Sequence, residues 1–218
     1  MADKLHYNTV NPQLLRILKI LMTTEEFKNF RLVGGTALSL YRGHRQSIDI
    51  DLFTDVVYQS VDFNAIDLFL RKKFSYVDTN ESVAGPGKSY FVGHSESDCI
   101  KLDLFYTDPF IEEAVVIRGI RIAAEADIVA MKIEVIMNGG RKKDFWDIHD
   151  LMDDYSLEAM MSLHKERYPY SHNKKMIIKN FTDFSKADQD FDPICLKGKY
   201  WELIKLDLID FVGKTDNH

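Results

Sequence analysis

The sequence predicts an α+β fold: a mixed β-sheet with flanking helices over residues 1–122, followed by a helical part over residues 123–218. Three observations carry this prediction. Segments that alternate apolar and polar residues, the pattern of a half-buried strand, fall in the first half of the chain. Segments with apolar residues three and four apart, the pattern of an amphipathic helix, dominate from Ala123 onward. No repeat or low-complexity segment interrupts either half, and 218 residues are enough to bury a sizeable core.

The elements follow in order. Asn11-Pro12 opens the first helix, with Asn as cap and Pro at the first helical position. Leu14, Leu15, Leu18 and Leu21 give that helix its apolar stripe. Arg31-Leu32-Val33 reads as a short strand running into Gly34-Gly35, and a helix starts at Thr36. Ile48 to Phe53 alternates as a strand, and Ile66 to Phe74 has helical spacing. Lys88–Val92 and Cys99–Tyr106 read as strands. Two short apolar runs around Arg118-Gly119 read as a hairpin, although Arg-Gly is a weaker turn signal than Asn-Gly. Helices follow near 125–138, 143–154, 156–167, 172–184 and 199–212. Gly139-Gly140 separates the first two, and Asp192-Pro193 precedes the last.

Composition excludes several classes. The chain is 45% hydrophobic and 28% charged, which fits neither disorder nor a fibrous repeat. Cys99 and Cys195 are far apart and match no metal-ligand spacing, so they read as free thiols of a reducing compartment. No signal-peptide region opens the sequence, and no apolar run reaches the roughly 18–20 residues that span a bilayer. The expected location is cytoplasmic, with no membrane partner. A net charge of −6 disfavours a general nucleic-acid binder and requires that any contact with phosphate be local or carried by a bound cation.

Ile48-Asp49-Ile50-Asp51-Leu52 places Asp49 and Asp51 on one strand face and the aliphatic residues on the other. Two carboxylates on one face repel each other unless they lie in solvent at an edge or share a divalent cation. Ile100-Lys101-Leu102-Asp103-Leu104 alternates in the same way, with Lys101 and Asp103 together. If the two strands are neighbours, Asp103 joins Asp49 and Asp51, and three carboxylates so placed hold two metal ions. Upstream, Gly34 and Gly35 let backbone approach a ligand closely, and the helix N-terminus behind them favours phosphate. Thr36 either caps that helix or offers its hydroxyl to a phosphate oxygen.

Leu32-Val33-Gly34-Gly35-Thr36-Ala37-Leu38, with Arg45, Ser47 and Asp49-Ile50-Asp51-Leu52-Phe53, resembles the AbiEii/AbiGii-type nucleotidyltransferase toxins of the DNA polymerase β-like superfamily. Lys101 and Asp103 fit as a third element. Ala123–Lys132 and Arg141–Ile148 resemble two further helical motifs, so the likeness covers about residues 30–152. It implies a nucleotidyltransferase-like mixed sheet and transfer of a nucleoside monophosphate from a nucleoside triphosphate. The expected acceptor is RNA, in particular a tRNA end, and the implied setting is a toxin–antitoxin or phage-defence pair with a cognate antitoxin protein. It further implies that Asp49, Asp51 and Asp103 ligate Mg2+ (or Mn2+). Gly34, Gly35, Thr36, Arg45, Lys101 and Lys132 contact the nucleotide in this reading, and Lys132 and Asp144 complete the catalytic set from the helical half.

Several residues keep two readings. Lys132 has Ile128, Val129, Val135 and Ile136 as helical neighbours, so it either points from a packed helix into a cleft or snorkels to solvent. Asp144 and Asp147 share a helix side, where an acid near the positive end is favourable without any catalytic role. Asp150, Asp153 and Asp154 read as solvated surface, and His149 has no partner at metal-ligand spacing. Arg45 reaches a phosphate or merely sits in the loop before the strand. Arg141, Lys142 and Lys143 lie beside the expected cleft. The stretch from His164 to Lys179, basic and interleaved with Tyr168 and Tyr170, is either a solvated face or an acceptor-binding surface. Competing functions are transfer to a small molecule or a protein, and a non-catalytic binding or regulatory module of the same fold.

Overall fold

The structure is a computed structural model that describes residues 5–79 and 85–214. Among these residues seven strands form one mixed sheet. Strands β1 (Arg31–Leu32) and β2 (Ile50–Thr54) pair antiparallel. Strands β3 (Tyr76–Thr79), β4 (Gly87–Ser95) and β5 (Asp98–Tyr106) form an antiparallel run, and β5 then lies parallel to β2. The hairpin of β6 (Val115–Ile117) and β7 (Ile120–Ile122) joins the other side, with β7 parallel to β1. The spatial order is β3-β4-β5-β2-β1-β7-β6. All described strands therefore end by residue 122, and from Glu125 onward the regular elements are helical.

Local chemistry explains most boundaries. Helix α1 (Pro12–Met22) begins where the Asn11 side chain accepts the Leu14 N–H at 2.7 Å, with Pro12 at the first helical position. Helix α2 (Gly34–Arg42) starts two residues before the expected Thr36, and Gly43 ends it in a left-handed conformation. Helix α3 (Phe63–Lys73) starts three residues before Ile66, because the Asp62 carboxylate accepts from the amides of Asn64 and Ala65. Arg118 and Gly119 both have positive φ, the requirement of a two-residue hairpin turn, so the weak Arg-Gly signal closes this hairpin. Strand β3 was not expected. It is short and lies at the sheet edge, where few apolar residues mark its pattern.

Helices α4 (Glu125–Met137), α5 (Lys142–Leu151), α6 (Leu157–Arg167), α7 (Lys174–Phe181) and α8 (Trp201–Gly213) match the five expected helical segments, with α5 and α7 shorter than their patterns. A single apolar cluster runs from Leu5 to Val212 and joins sheet to helices. Ile50, Leu52, Leu102 and Leu104 fill it from one sheet face, leaving Asp51 and Asp103 on the other. Among the described residues no helix is long and apolar enough to cross a membrane.

Candidate active site

The parallel pairing of β2 and β5 sets Asp51 directly beside Asp103 in register. Side chains of registered neighbours share a sheet face, so these two carboxyls stand together. Burial, then the charges of Asp103 and Asp49, push the Asp51 carboxyl up to about 6. Oδ1 of Asp103 is buried without a hydrogen-bond partner among the described residues, while Oδ2 accepts from Lys101 Nζ at 2.5 Å. Asp49 lies one residue before β2, half-buried, with Lys143 Nζ 3.6 Å from its Oδ2. Ile48 was expected on the buried face of this strand. It is 66% exposed, because the strand begins only at Ile50.

Gly34 carries φ +68°, and a Cβ on it would lie 2.6 Å from Asp51 Oδ2. Only glycine combines that backbone with so close an approach to the carboxylate. Gly35 is constrained from the other side, where a Cβ would collide with Nη2 of Arg45. The start of α2 thus opens directly over the strand carboxylates. Together with Asp51 and Phe53 the two glycines form one wall of a cleft of about 540 Å³. Met131, Lys132, Glu134 and Val135 of α4 line it too, as do Gly139-Gly140, Arg141, Lys143 and Asp144. The sheet half and the helical half therefore meet at this cleft.

The helical wall holds a second acidic pair. Lys132 Nζ lies 2.8 Å from Asp144 Oδ1 and 2.6 Å from Asp147 Oδ2, and all three side chains are buried. Asp147 also takes two hydrogen bonds from Arg45, Nε at 2.6 Å and Nη2 at 2.8 Å, and lies 2.6 Å from His44 Nε2. Burial pushes the Asp147 carboxyl up, but Arg45 and Lys132 outweigh it and hold the group well below the ordinary carboxylate range. Asp144 is lowered in the same way, chiefly by Lys132 against burial. Lys132 is raised because Asp144 and Asp147 outweigh its own burial. Lys132 does not snorkel to solvent; it is a buried cation at the edge of the cleft.

Several sequence expectations change. Thr36 does not cap α2, and its side chain is turned inward. Its buried hydroxyl donates to the Asp49 carbonyl and pairs with the Ser47 hydroxyl at 2.8 Å. Arg45 is not free for a phosphate, since Nε and Nη2 bind Asp147 and Nη1 donates to the Gln46 carbonyl. Its inward turn follows from a partner 102 residues away, which no local pattern reveals. Asp150, read as solvated, is buried between Arg42 at 2.9 Å and Lys197 at 2.7 Å. His149 pairs with Asp207 at 2.8 Å. Within the basic stretch, Arg167 is buried against Asp127 at 3.1 Å, and His164 is buried against Glu134 at 2.7 Å. Lys165, Lys174, Lys175 and Lys179 remain exposed.

Sequence reasoning also missed wall residues. Glu134 lies on the helix that bears Lys132, two positions on, and nothing in its spacing marks it. Gly139 and Gly140 read only as a helix break. Segment 190–196 carried no motif beyond Asp192-Pro193. It is tied under the site by the Gln46 amide on the Ile194 carbonyl at 2.9 Å and the Leu196 amide on the His44 carbonyl at 2.8 Å.

Among the described residues no three His, Cys, Asp or Glu side chains converge as a ready-made metal site. The donor chemistry of the strand pair nevertheless fits a hard divalent cation. Asp51 is raised by neighbouring acids, and Asp103 Oδ1 has no partner among the described residues. Lys101 pairs with Asp103 and Lys143 with Asp49, both lysines partly exposed, and Lys132 and Lys143 only partly offset the raised Asp51.

Comparison with known proteins places this geometry. A family model described as "Nucleotidyl transferase AbiEii toxin, Type IV TA system" matches residues 16–212, far beyond the 30–152 region marked by motifs. A protein of Aquifex aeolicus is 30% identical over 192 residues, covering 81% of this chain and 83% of its own. MenT4, a nucleotidyltransferase toxin of Mycobacterium tuberculosis, superposes with a TM-score of 0.56 at 14% identity, covering 92% of this chain and 82% of its own. JHP933 of Helicobacter pylori superposes with a TM-score of 0.58 at 20% identity, covering 93% of this chain and 88% of its own. These two likenesses show the fold.

Proposed function

Because the chain belongs to the AbiEii family of nucleotidyltransferase toxins, we propose that it transfers a nucleoside monophosphate to an RNA end, with a divalent cation held at Asp49, Asp51 and Asp103. The observation that carries this reading is the registered Asp51–Asp103 pair, under-neutralised, with Asp51 directly against the Gly34-Gly35 turn on one wall of the cleft. A bound Mg2+ or Mn2+ would supply charge neutralisation for the triphosphate and acidify the attacking hydroxyl.

The chain's own residues do the rest. Gly34 and Gly35 bring backbone N–H groups and the positive end of α2 to the phosphates without a side chain in the way. Arg141 and Lys143 stand on the cleft wall, where a triphosphate meets positive charge. The acceptor hydroxyl oxygen bonds to the α-phosphorus, and the bond to pyrophosphate breaks. The hydroxyl proton passes to a strand carboxylate, with Asp51, raised and on the cleft wall, as the receiving group. Lys132, Asp144, Asp147 and Arg45 hold the helical wall against the sheet, and Lys132 adds a fixed positive charge at its edge. The family's toxin–antitoxin setting makes a cognate antitoxin the expected protein partner.

The test is incubation of purified protein with labelled nucleoside triphosphates, Mg2+ and total RNA. RNA becomes labelled, and Asp51→Ala lowers the rate on the order of a thousandfold. Labelling that survives both Asp49→Ala and Asp51→Ala sinks the proposal. Label on a small molecule or on protein instead redirects the acceptor while leaving the transfer chemistry in place.

A further inference from the structure

Beside the nucleotide cleft lies a second cavity of about 310 Å³ that shares two wall residues with it, Arg141 and Lys143. Ile48, the residue before Asp49, lines it, so it abuts the strand carboxylates. Its outer wall is segment 190–194, brought from the far end of the sequence. That wall is built rather than draped. Asp190 accepts the Lys142 amide at 3.0 Å, Asp192 pairs with Lys142 Nζ at 2.9 Å, and the Ile194 carbonyl takes the Gln46 amide.

The lining has a particular chemistry. Lys142 engages the two acids of the segment, and Arg141 makes no ion pair among the described residues. Phe191 is 98% exposed, with no ring contact among the described residues, and Ile194 is 61% exposed. Together with Ile48, three large apolar side chains stand in solvent around one small opening that carries Arg141 and Lys143, while the third lining cation, Arg45, is taken by Asp147. Exposed apolar residues scattered singly need no explanation, but a ring of them beside cations matches what an unstacked base with its phosphate requires.

We infer that this second cavity is the acceptor seat, taking the unpaired terminal nucleotide of an RNA single strand. Its base lies on Phe191 and Ile48, and its phosphate lies at Arg141. The inference rests on the nucleotidyl-transfer reading above and adds where the acceptor binds. The shared wall explains how two substrates meet: Arg141 and Lys143 separate the cavities, so a ribose hydroxyl in the one faces the α-phosphate in the other. Recognition is local, consistent with an overall charge of −6. If only two cations contact phosphate, the slope of log affinity against log salt is about −1.4, shallow for an RNA-binding protein.

The experiment uses the full chain with Mg2+, a labelled nucleoside triphosphate and bulk deacylated tRNA as the single-stranded-ended probe. For each variant the KM for tRNA, the nucleotide affinity and the melting temperature are measured. Phe191→Ala raises the tRNA KM about tenfold, as loss of one stacking platform does. Its nucleotide affinity and melting temperature are unchanged, since nothing packs on Phe191. Phe191→Trp restores the KM to within about twofold. An unchanged tRNA KM in Phe191→Ala overturns the acceptor seat while the transfer reading stands. A wild-type chain that binds nucleotide with Mg2+ but labels no RNA overturns both the seat and the RNA acceptor, and RNA labelling by the wild-type chain tells the two failures apart.

Discussion

Two acidic clusters each bring one carboxylate to the same cleft, Asp51 from the sheet and Asp144 from the helices, and they are built on opposite principles. On the sheet, Asp51 stands beside Asp103 and near Asp49, its carboxyl is pushed up to about 6, and an oxygen of Asp103 has no partner among the described residues. On the helices, Asp144 and Asp147 surround Lys132, Arg45 adds a second cation, and both carboxyls are lowered. The first cluster has only the partly exposed Lys101 and Lys143 paired at its rim and leaves Asp51 raised, while the second already holds buried cations between its acids. A cation added at the sheet relieves repulsion, whereas one added at the helices finds its place taken. Acidic residues alone do not make a metal centre; an unmet charge does.

Removing one acid from each cluster gives the largest contrast. Asp147→Ala leaves Lys132 and Arg45 buried without their shared counter-ion, and such a loss costs about 3–5 kcal/mol. Asp51→Ala removes a repelled carboxylate, so the melting temperature of the metal-free chain stays level or rises while labelling activity collapses. Thermal denaturation of both variants without divalent cation is the measurement. Equal destabilisation by the two substitutions erases the distinction between the clusters.

Changing pH sharpens the same contrast with a smaller effect. Asp51 has a folded pKa of about 6, above its ordinary 3.8. Its contribution to stability is therefore complete below pH 3.8 and is lost as pH rises through 6. Asp144 and Asp147 are lowered, so their contribution is present above 3.8 and is lost only as pH falls below it. Mg2+ at the sheet competes with the Asp51 proton. Below pH 6 its apparent affinity falls about tenfold per pH unit for a single displaced proton, and it raises the melting temperature more at pH 7 than at pH 5. Titrating Mg2+ by calorimetry across that range checks the slope, and an affinity flat from pH 5 to 7 removes Asp51 from the site.

The sheet cluster was legible from residue patterning, whereas in the helical one Lys132 and Asp144 were named only through the family resemblance and their joining to Asp147 and Arg45 was not legible, for a physical reason. Alternation encodes a strand face directly, so Ile50-Asp51-Leu52 and Leu102-Asp103-Leu104 declare which side each acid occupies. What alternation lacks is an end signal, and Ile48 was placed in a strand that starts two residues later. The helical cluster depends on a pair from distant parts of the chain, Arg45 with Asp147, and the same holds for the separate buried pairs Arg42 with Asp150 and Arg167 with Asp127. A lone Arg45 near a phosphate-binding turn looks available until its partner is seen. The outer wall at 190–194 has no periodicity, because its place is set by backbone hydrogen bonds to residues 44–46.

Thr36 gives the smallest and most discriminating effect, because its expected role and its observed one predict different readouts. A hydroxyl bound to phosphate would be felt in nucleotide affinity and not in folding. The observed hydroxyl is buried, donates to the Asp49 carbonyl and pairs with Ser47. It therefore fixes where β2 begins, and with it the backbone that carries Asp49. Thr36→Val keeps the shape and removes the hydrogen bonds, leaving a buried carbonyl without its donor, at a cost of about 1–3 kcal/mol. The melting temperature falls accordingly, while the KM for nucleoside triphosphate changes less than about threefold. The reverse result, an unchanged melting temperature with a sharply raised KM, returns Thr36 to the phosphate and detaches Asp49 from α2.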